Sequence, residues 1–272
     1  IIEAVTGKSW EDNLQERIFT PLGMHNTSTN EDGFLATANG NTPHETTVRN
    51  GKIHTAPMEG EEQALHWLTV IGAAGGINST VTDMMQWCRL HLSNGVVDGD
   101  TLLSAAQMDY LHMGQLITSQ TDTKTNIYAP CWFVEQNNRY RVWFHTGTTW
   151  GFTAICAFVP ELDLGLMWLS NCEPPSDPRY AIMRHVIDYY MDLPFQDYSR
   201  QALEKFLAEA LERENKEKKE QASRVAEPPA PYPHYVGTYT HQAMGEAVIT
   251  LENGNLYITL GPEDFPNRKH LM

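Results

Sequence analysis

At 272 residues, with 41% hydrophobic and 10% aromatic residues, the chain is long enough to bury a full core and leave room for a second, smaller unit. A net charge of −15 argues against nucleic-acid binding and against adhesion to an anionic membrane, since both need clustered Lys and Arg. No apolar run approaches the length of a transmembrane helix, so no membrane insertion is seen. The chain opens Ile1-Ile2-Glu3-Ala4-Val5, and neither a signal peptide nor a compartment is legible from this end.

In chain order, Ser9 and Asp12 form a capping pair, and Trp10, Leu14 and Ile18 line one helical face up to Pro21. From His25 to about Glu62 the chain is polar and rich in Asn, Thr and Gly, with one hairpin signal at Asn50-Gly51. So long an irregular stretch reads as a functional lid or binding loop. Gly72–Thr80 is a small-residue loop feeding a helix, capped by Thr80 with Asp83 and striped by Val81, Met84, Met85, Cys88 and Leu92. Ser104 and Gln107 start another helix, through about Leu111.

Tyr140–Phe144 is aromatic and β-branched, a strand ending at His145. Phe152–Val159 and Leu164–Ser170 are further strands, joined by turn chemistry at Pro160–Asp163. Three adjacent antiparallel strands are expected, with a polar His145-Thr146-Gly147 step at the lip of the first. Asp177-Pro178 begins a helix expected to turn Ile182, Val186, Tyr189 and Tyr190 inward. Gln201–Gln221 is a helix apolar only at its start, followed by a solvated Glu/Lys face. Glu227–Pro233 is a stiff linker, and Tyr235–Thr240, Val248–Leu251 and Leu256–Leu260 are strands that read as the opening of a β-barrel.

Chemistry concentrates at the His-Thr-Gly step. Histidine titrates near neutral pH, so His145 can shuttle a proton or bind a carboxylate; the plainer reading is a strand-end ring bonded to a carbonyl. Thr146 can hydrogen-bond a substrate carboxylate or carbonyl, or its own neighbours. Gly147 allows a substrate to run alongside the strand, and Trp150 is either a pocket wall or a structural aromatic. No serine has a Lys three residues on, there is no Tyr-x-Asn, and Thr121-Asp-Thr-Lys124 sits in a polar loop. The four cysteines Cys88, Cys131, Cys156 and Cys172 lie in apolar segments and read as small buried thiols. The histidines show no metal-ligand spacing, so no metal and no cofactor is assigned.

Several short signals fall in a fixed order. They are Ile2–Ser9 running into Pro21-Leu22-Gly23-Met24, Ala74–Asp83, His145-Thr146-Gly147 with Gly151-Phe152, Pro160–Gly165, and Ser170-Asn171. This set resembles the serine β-lactamase and penicillin-binding-protein-like hydrolases, in their class C and esterase branch, over roughly residues 1–193. The resemblance implies an α/β fold of the α+β type, an antiparallel sheet flanked by helices with a helical lobe. The tail resembles the small β-barrel appended to many such hydrolases. The implied division is a hydrolase domain over 1–193, a helix and Pro-rich linker over 194–233, and a partial barrel over 234–272.

In that family a Ser of Ser-x-x-Lys attacks a carbonyl, a Tyr of Tyr-x-Asn helps move the proton, and a Lys-Thr-Gly strand completes the site. Carried onto this chain, the resemblance implies catalytic roles for His145 and for the backbone N–H of Thr148, the latter as an oxyanion donor. It implies substrate binding by Thr146, Gly147 and Trp150. His145 stands where penicillin-recognising members have Lys, a variant of esterase- and peptidase-like relatives. The two absent motifs lie upstream in the family, so the expectation is a fragment whose nucleophile is outside this chain. The implied activity is acyl-enzyme hydrolysis of a small ester or a short peptide, D-residues included, in a periplasmic or secreted setting. Three alternatives stay open: a non-catalytic module binding a peptide or ligand in the same groove, one half of a two-chain enzyme with the N-terminal segment as a separate chain, and a homo-oligomer.

Overall fold

A computed structural model describes all residues except 38, 50, 59–69, 174–176, 224–229, 244, 261–268 and 272. The chain divides into two compact units, Ile1–Leu211 and Glu212–Met272.

The first unit begins with short helices α1 (Ile2–Thr6) and α2 (Trp10–Leu14), the latter running on as a π turn over Gln15–Phe19. Ser9 caps α2 by accepting from the Asp12 N–H at 3.0 Å. Helix α3 (Glu31–Leu35) and the hairpin β1 (His44–Arg49)–β2 (Lys52–Pro57) occupy part of the stretch expected to be a loop. Arg49 pairs with Lys52 across the Asn50-Gly51 turn, Asn50 itself lying outside the described residues. After α4 (Gly72–Gly75) comes α5 (Val81–Leu92), capped as expected by the Thr80 hydroxyl on the Asp83 N–H. The two-residue strands β3 (Val96–Val97) and β4 (Asp100–Thr101) precede α6 (Ala105–His112), which carries a complete Ser104/Gln107 capping box.

The main sheet follows without a break: β5 (Leu116–Gln120), β6 (Lys124–Ala129), β7 (Trp132–Asn137), β8 (Arg141–Thr149), β9 (Phe152–Val159) and β10 (Leu164–Ser170). It is an antiparallel meander in the order β10-β9-β8-β7-β6-β5. The three expected strands are β8, β9 and β10, although β8 runs to Thr149, past the end expected at His145, because β9 goes on pairing with it; a 3₁₀ turn at Pro160–Leu162 lies between the last two. Strands β5 to β7 had no assignment in the sequence; Thr121 precedes β6 and Lys124 opens it, its ammonium paired with Glu135 at 3.0 Å.

Both faces of β9 are covered, which is why Ile155–Val159 is a continuous buried run and does not alternate. On one face Val142, Phe144, Ile155 and Ala157 pack with Met183 and Ile187 of α7 (Arg179–Tyr190). On the other, Val134, Trp143, Cys156 and Phe158 pack with Cys88 of α5. Helix α5 can lie close because Gly165 presents no side chain; a Cβ there would stand 3.0 Å from Cys88 Cβ. On its far side Leu90 meets Phe19, Leu22 and Met24.

Three expectations need correction here. In α7 the buried residues are Ala181, Met183 and Ile187, whereas Tyr189 is 78% and Tyr190 58% exposed. The i,i+4 pair Met183/Ile187 sets the inward stripe, and the tyrosines keep their hydroxyl ends in solvent. Of the cysteines, Cys88 and Cys156 are buried but Cys131 is exposed, held at φ 76 in the β6–β7 turn. The third correction concerns the tail.

The unit boundary falls within α8 (Tyr198–Ser223), whose i,i+4 pairs Arg200–Glu204, Lys205–Glu209 and Lys216–Glu220 lace a solvated face. The second unit holds β11 (Gly237–His241), β12 (Gly245–Glu252), β13 (Asn255–Leu260) and β14 (Lys269–Leu271) in an open antiparallel sheet, β11-β12-β13-β14. Among the described residues no sheet closes into a barrel. Closure needs the first and last strands to pair, but β14 has three residues and pairs only with β13. Residues 227–229 of the predicted linker lie outside the described residues.

Candidate active site

Strand β8 is longer than its neighbour's reach. β7 pairs with it only from Arg141 to Phe144, whereas β9 pairs from Trp143 to Thr149. β7 stops because the chain turns at Ala129–Trp132, the last rung of the β6–β7 hairpin. Among the described residues, His145–Thr149 therefore has an open edge on the β7 side. The predicted His-Thr-Gly step lies along it.

His145 is exposed, but its ring is directed. Nδ1 lies 2.8 Å from the Thr146 carbonyl, Nε2 lies 3.5 Å from the Tyr128 hydroxyl, and the ring stacks on Phe133 with centroids 5.2 Å apart. The half-buried Thr146 makes no side-chain hydrogen bond among the described residues. A Cβ built on Gly147 meets nothing within 4 Å, so this chain's own packing does not demand glycine there. Thr148 is exposed at the next rung.

Trp150 sits apart from these. It occupies the two-residue β8–β9 turn, 38% exposed, with Gly151 beside it at φ 74. A cavity of about 360 Å³ exists elsewhere, between the end of α6 and β5–β7, lined in part by His112, Leu116, Ile127, Val134 and Arg141. None of the five predicted site residues borders it.

Sequence reasoning missed Arg179 and Tyr128, and left Gly75 open between the site rim and a turn into the next helix. Arg179, the first residue of α7, donates from Nη1 to the Gly147 carbonyl at 2.7 Å and to Thr148 Oγ1 at 3.0 Å. Its other nitrogens fork onto Asp177 at 2.5 and 2.8 Å, and that carboxylate raises the guanidinium pKa further. The available signal is the Asp177-Pro178-Arg179 run, which by itself predicts only a helix start. Gly75 of α4 approaches the same strand, 3.2 Å from Thr149 Cγ2 as measured from a built Cβ. Tyr128 offered no sequence signal, because β6 itself was not foreseen. Among the described residues no group of three or more His, Cys, Asp or Glu is placed to hold a metal, and no helix is long and apolar enough to cross a membrane.

With this geometry the chain belongs to the β-lactamase family: the family model described as Beta-lactamase matches residues 1–189. A second model, a domain of unknown function (DUF3471), matches residues 221–271. Penicillin-binding protein 4 of Amycolatopsis lactamdurans is 34% identical over 110 residues, 39% of this chain and 26% of that protein. The unguisins hydrolase ungD' of Aspergillus campestris is 26% identical over 265 residues, 92% of this chain and 46% of that protein. Among solved structures, the octameric penicillin-binding protein homologue from Pyrococcus abyssi superposes with a TM-score of 0.57 at 15% identity, over 100% of this chain and 52% of that one. That likeness is one of fold. The chain spans about half the length, or less, of these relatives.

Proposed function

We propose that this chain carries the sheet-edge half of a serine hydrolase that cleaves an ester or amide through an acyl-enzyme. The observation that supports it is the open edge of β8 from His145 to Thr149, beside a Thr146 hydroxyl without a partner among the described residues. A substrate strand laid against this edge gains backbone hydrogen bonds. Gly147 leaves it room, Thr146 takes a carboxylate or carbonyl, and the Thr148 N–H faces the oxyanion that develops. His145 moves the proton to the leaving group. Trp150 contributes only at the rim of the turn. A small ester or a short peptide containing D-residues fits such an edge, and a periplasmic or secreted setting accords with the family.

The nucleophile is not among these 272 residues, since no serine stands three before a lysine. Covalent catalysis needs nucleophile and base within hydrogen-bond reach. The chain by itself is therefore expected to hydrolyse a p-nitrophenyl ester no faster than a denatured sample does. That same absence favours a second reading, a binding module that keeps the groove and has lost the chemistry. Fluorophosphonate labelling of the longest protein the gene encodes separates the two. A single serine adduct supports the hydrolase, and no adduct under conditions that label an active relative supports the binding module.

A further inference from the structure

We infer that Tyr128 is a positioning residue: with the Thr146 carbonyl fixing the Nδ1–H tautomer of His145, its hydroxyl hydrogen-bonds Nε2 and holds in place the nitrogen left to take a proton. The inference rests on the placement of His145 in the site proposed above and adds a residue to it.

The Thr146 carbonyl can only accept, so the nitrogen 2.8 Å from it must carry hydrogen. A neutral imidazole has one N–H, which leaves a lone pair on Nε2. The group facing that lone pair is the Tyr128 hydroxyl at 3.5 Å, the long end of hydrogen-bond range. The phenol then donates to Nε2.

A cross-strand aromatic row keeps the ring where both contacts are made. Tyr128 on β6 pairs with Phe133 on β7, and Phe133 pairs with Phe144 on β8. Tyr128 meets Phe133 edge-on at 4.8 Å, Phe133 stacks on Phe144 at 5.7 Å, and the His145 ring lies over Phe133 at an interplanar angle of 30°. A hydroxyl both donates and accepts. When a proton arrives at Nε2, the phenol rotates to accept from the new N–H, and the Thr146 carbonyl still holds Nδ1–H. The ring keeps its place in both protonation states, which a phenylalanine at 128 would not allow through Nε2.

The test is long-range ¹H–¹⁵N correlation spectroscopy of the ¹⁵N-labelled chain at about pH 8.5, where an ordinary histidine is neutral. His145→Gln assigns the resonance. The wild type is expected to show mainly the Nδ1–H tautomer. Tyr128→Phe keeps the ring packing and the Nδ1–H tautomer that the Thr146 carbonyl holds, but should move the Nε2 resonance toward that of an unbonded imine nitrogen. A wild-type ring mainly in the Nε2–H form, or an Nε2 resonance unchanged in a folded Tyr128→Phe chain, overturns the inference. The readout needs no nucleophile. Failure of the labelling experiment above leaves it intact, and its own failure leaves the hydrolase reading intact.

Discussion

His91 of α5 is buried, with its Nδ1 2.8 Å from His112 Nε2 and its Nε2 without a hydrogen-bond partner among the described residues. Trp87, Trp132 and Phe158 surround the ring, centroids 4.7 to 5.0 Å away. Burial in this cage pulls the pKa down to about 3, and the neighbouring His112 adds to the effect. The folded state thus holds His91 neutral while the unfolded chain protonates near pH ~6.5. The stability it contributes is complete above that value and is lost as pH falls toward about 3. Each unit in that window costs at most about 1.4 kcal/mol for this proton. The urea midpoint of the wild type should therefore fall between pH 7 and pH 5 by more than that of His91→Phe; parallel pH curves would remove His91 as the cause. Two glycines of the β8–β9 hairpin make a second comparison. Gly151 stands at φ 74, and a Cβ there would lie 2.6 Å from Met58 Sδ and 2.9 Å from the His44 nitrogen. Gly151→Ala should cost about 1–3 kcal/mol, whereas Gly147→Ala, with nothing near it, should stay within roughly 0.5–1 kcal/mol. Thermal unfolding of both variants decides the matter. Equal losses would mean that Gly147 is held by the chain's own packing and not kept open for a ligand.

At the scale of elements, β8, β9 and β10 were legible because each is a dense apolar or aromatic run bounded by Gly, Pro or Asp. Strands β5 to β7 were not. Thr118-Ser119-Gln120 and Lys124-Thr125-Asn126 are polar, and a register shift between Ile117 and Ser119 breaks any period-two pattern. Their strand state comes from pairing with β8, which no local window contains. The site suffered the same limit: His145, Thr146 and Gly147 are contiguous and were read directly, while Tyr128, Gly75 and Arg179 reach β8 from other elements. The helix starts at Ser9, Thr80 and Ser104 were read correctly because a cap is local chemistry. The thiols show how segment character misleads. Cys131 belongs to an apolar stretch, yet the turn turns it outward, whereas Cys88 and Cys156 meet in the core with sulfurs 3.5 Å apart. The Cys88 contact and burial push the Cys156 pKa up, which lowers its reactivity further. A thiol reagent on the native chain should modify Cys131 first and reach Cys88 and Cys156 only on unfolding. Equal rates at all four sites would contradict the packing of α5 on β9.

At the scale of the molecule, the sheet of the first unit and the helices on its two faces hold the β8 edge from His145 to Thr149, which is open on the β7 side among the described residues. The tail adds an open sheet with little buried apolar surface, Ile249 and Leu256 being its buried hydrophobics among the described residues. Three strand segments in sequence suggested a barrel because strands are legible and closure is not; closure depends on which strand ends meet. The proton-relay role proposed for His145 at the β8 edge is tested most directly by steady-state kinetics of His145→Ala in the full-length protein on a p-nitrophenyl ester, from about pH 5 to 9 around the ordinary histidine range. A proton relay acting in the transition state predicts that kcat falls more than KM rises. A kcat unchanged across that range would make His145 a structural strand-end histidine and contradict the account.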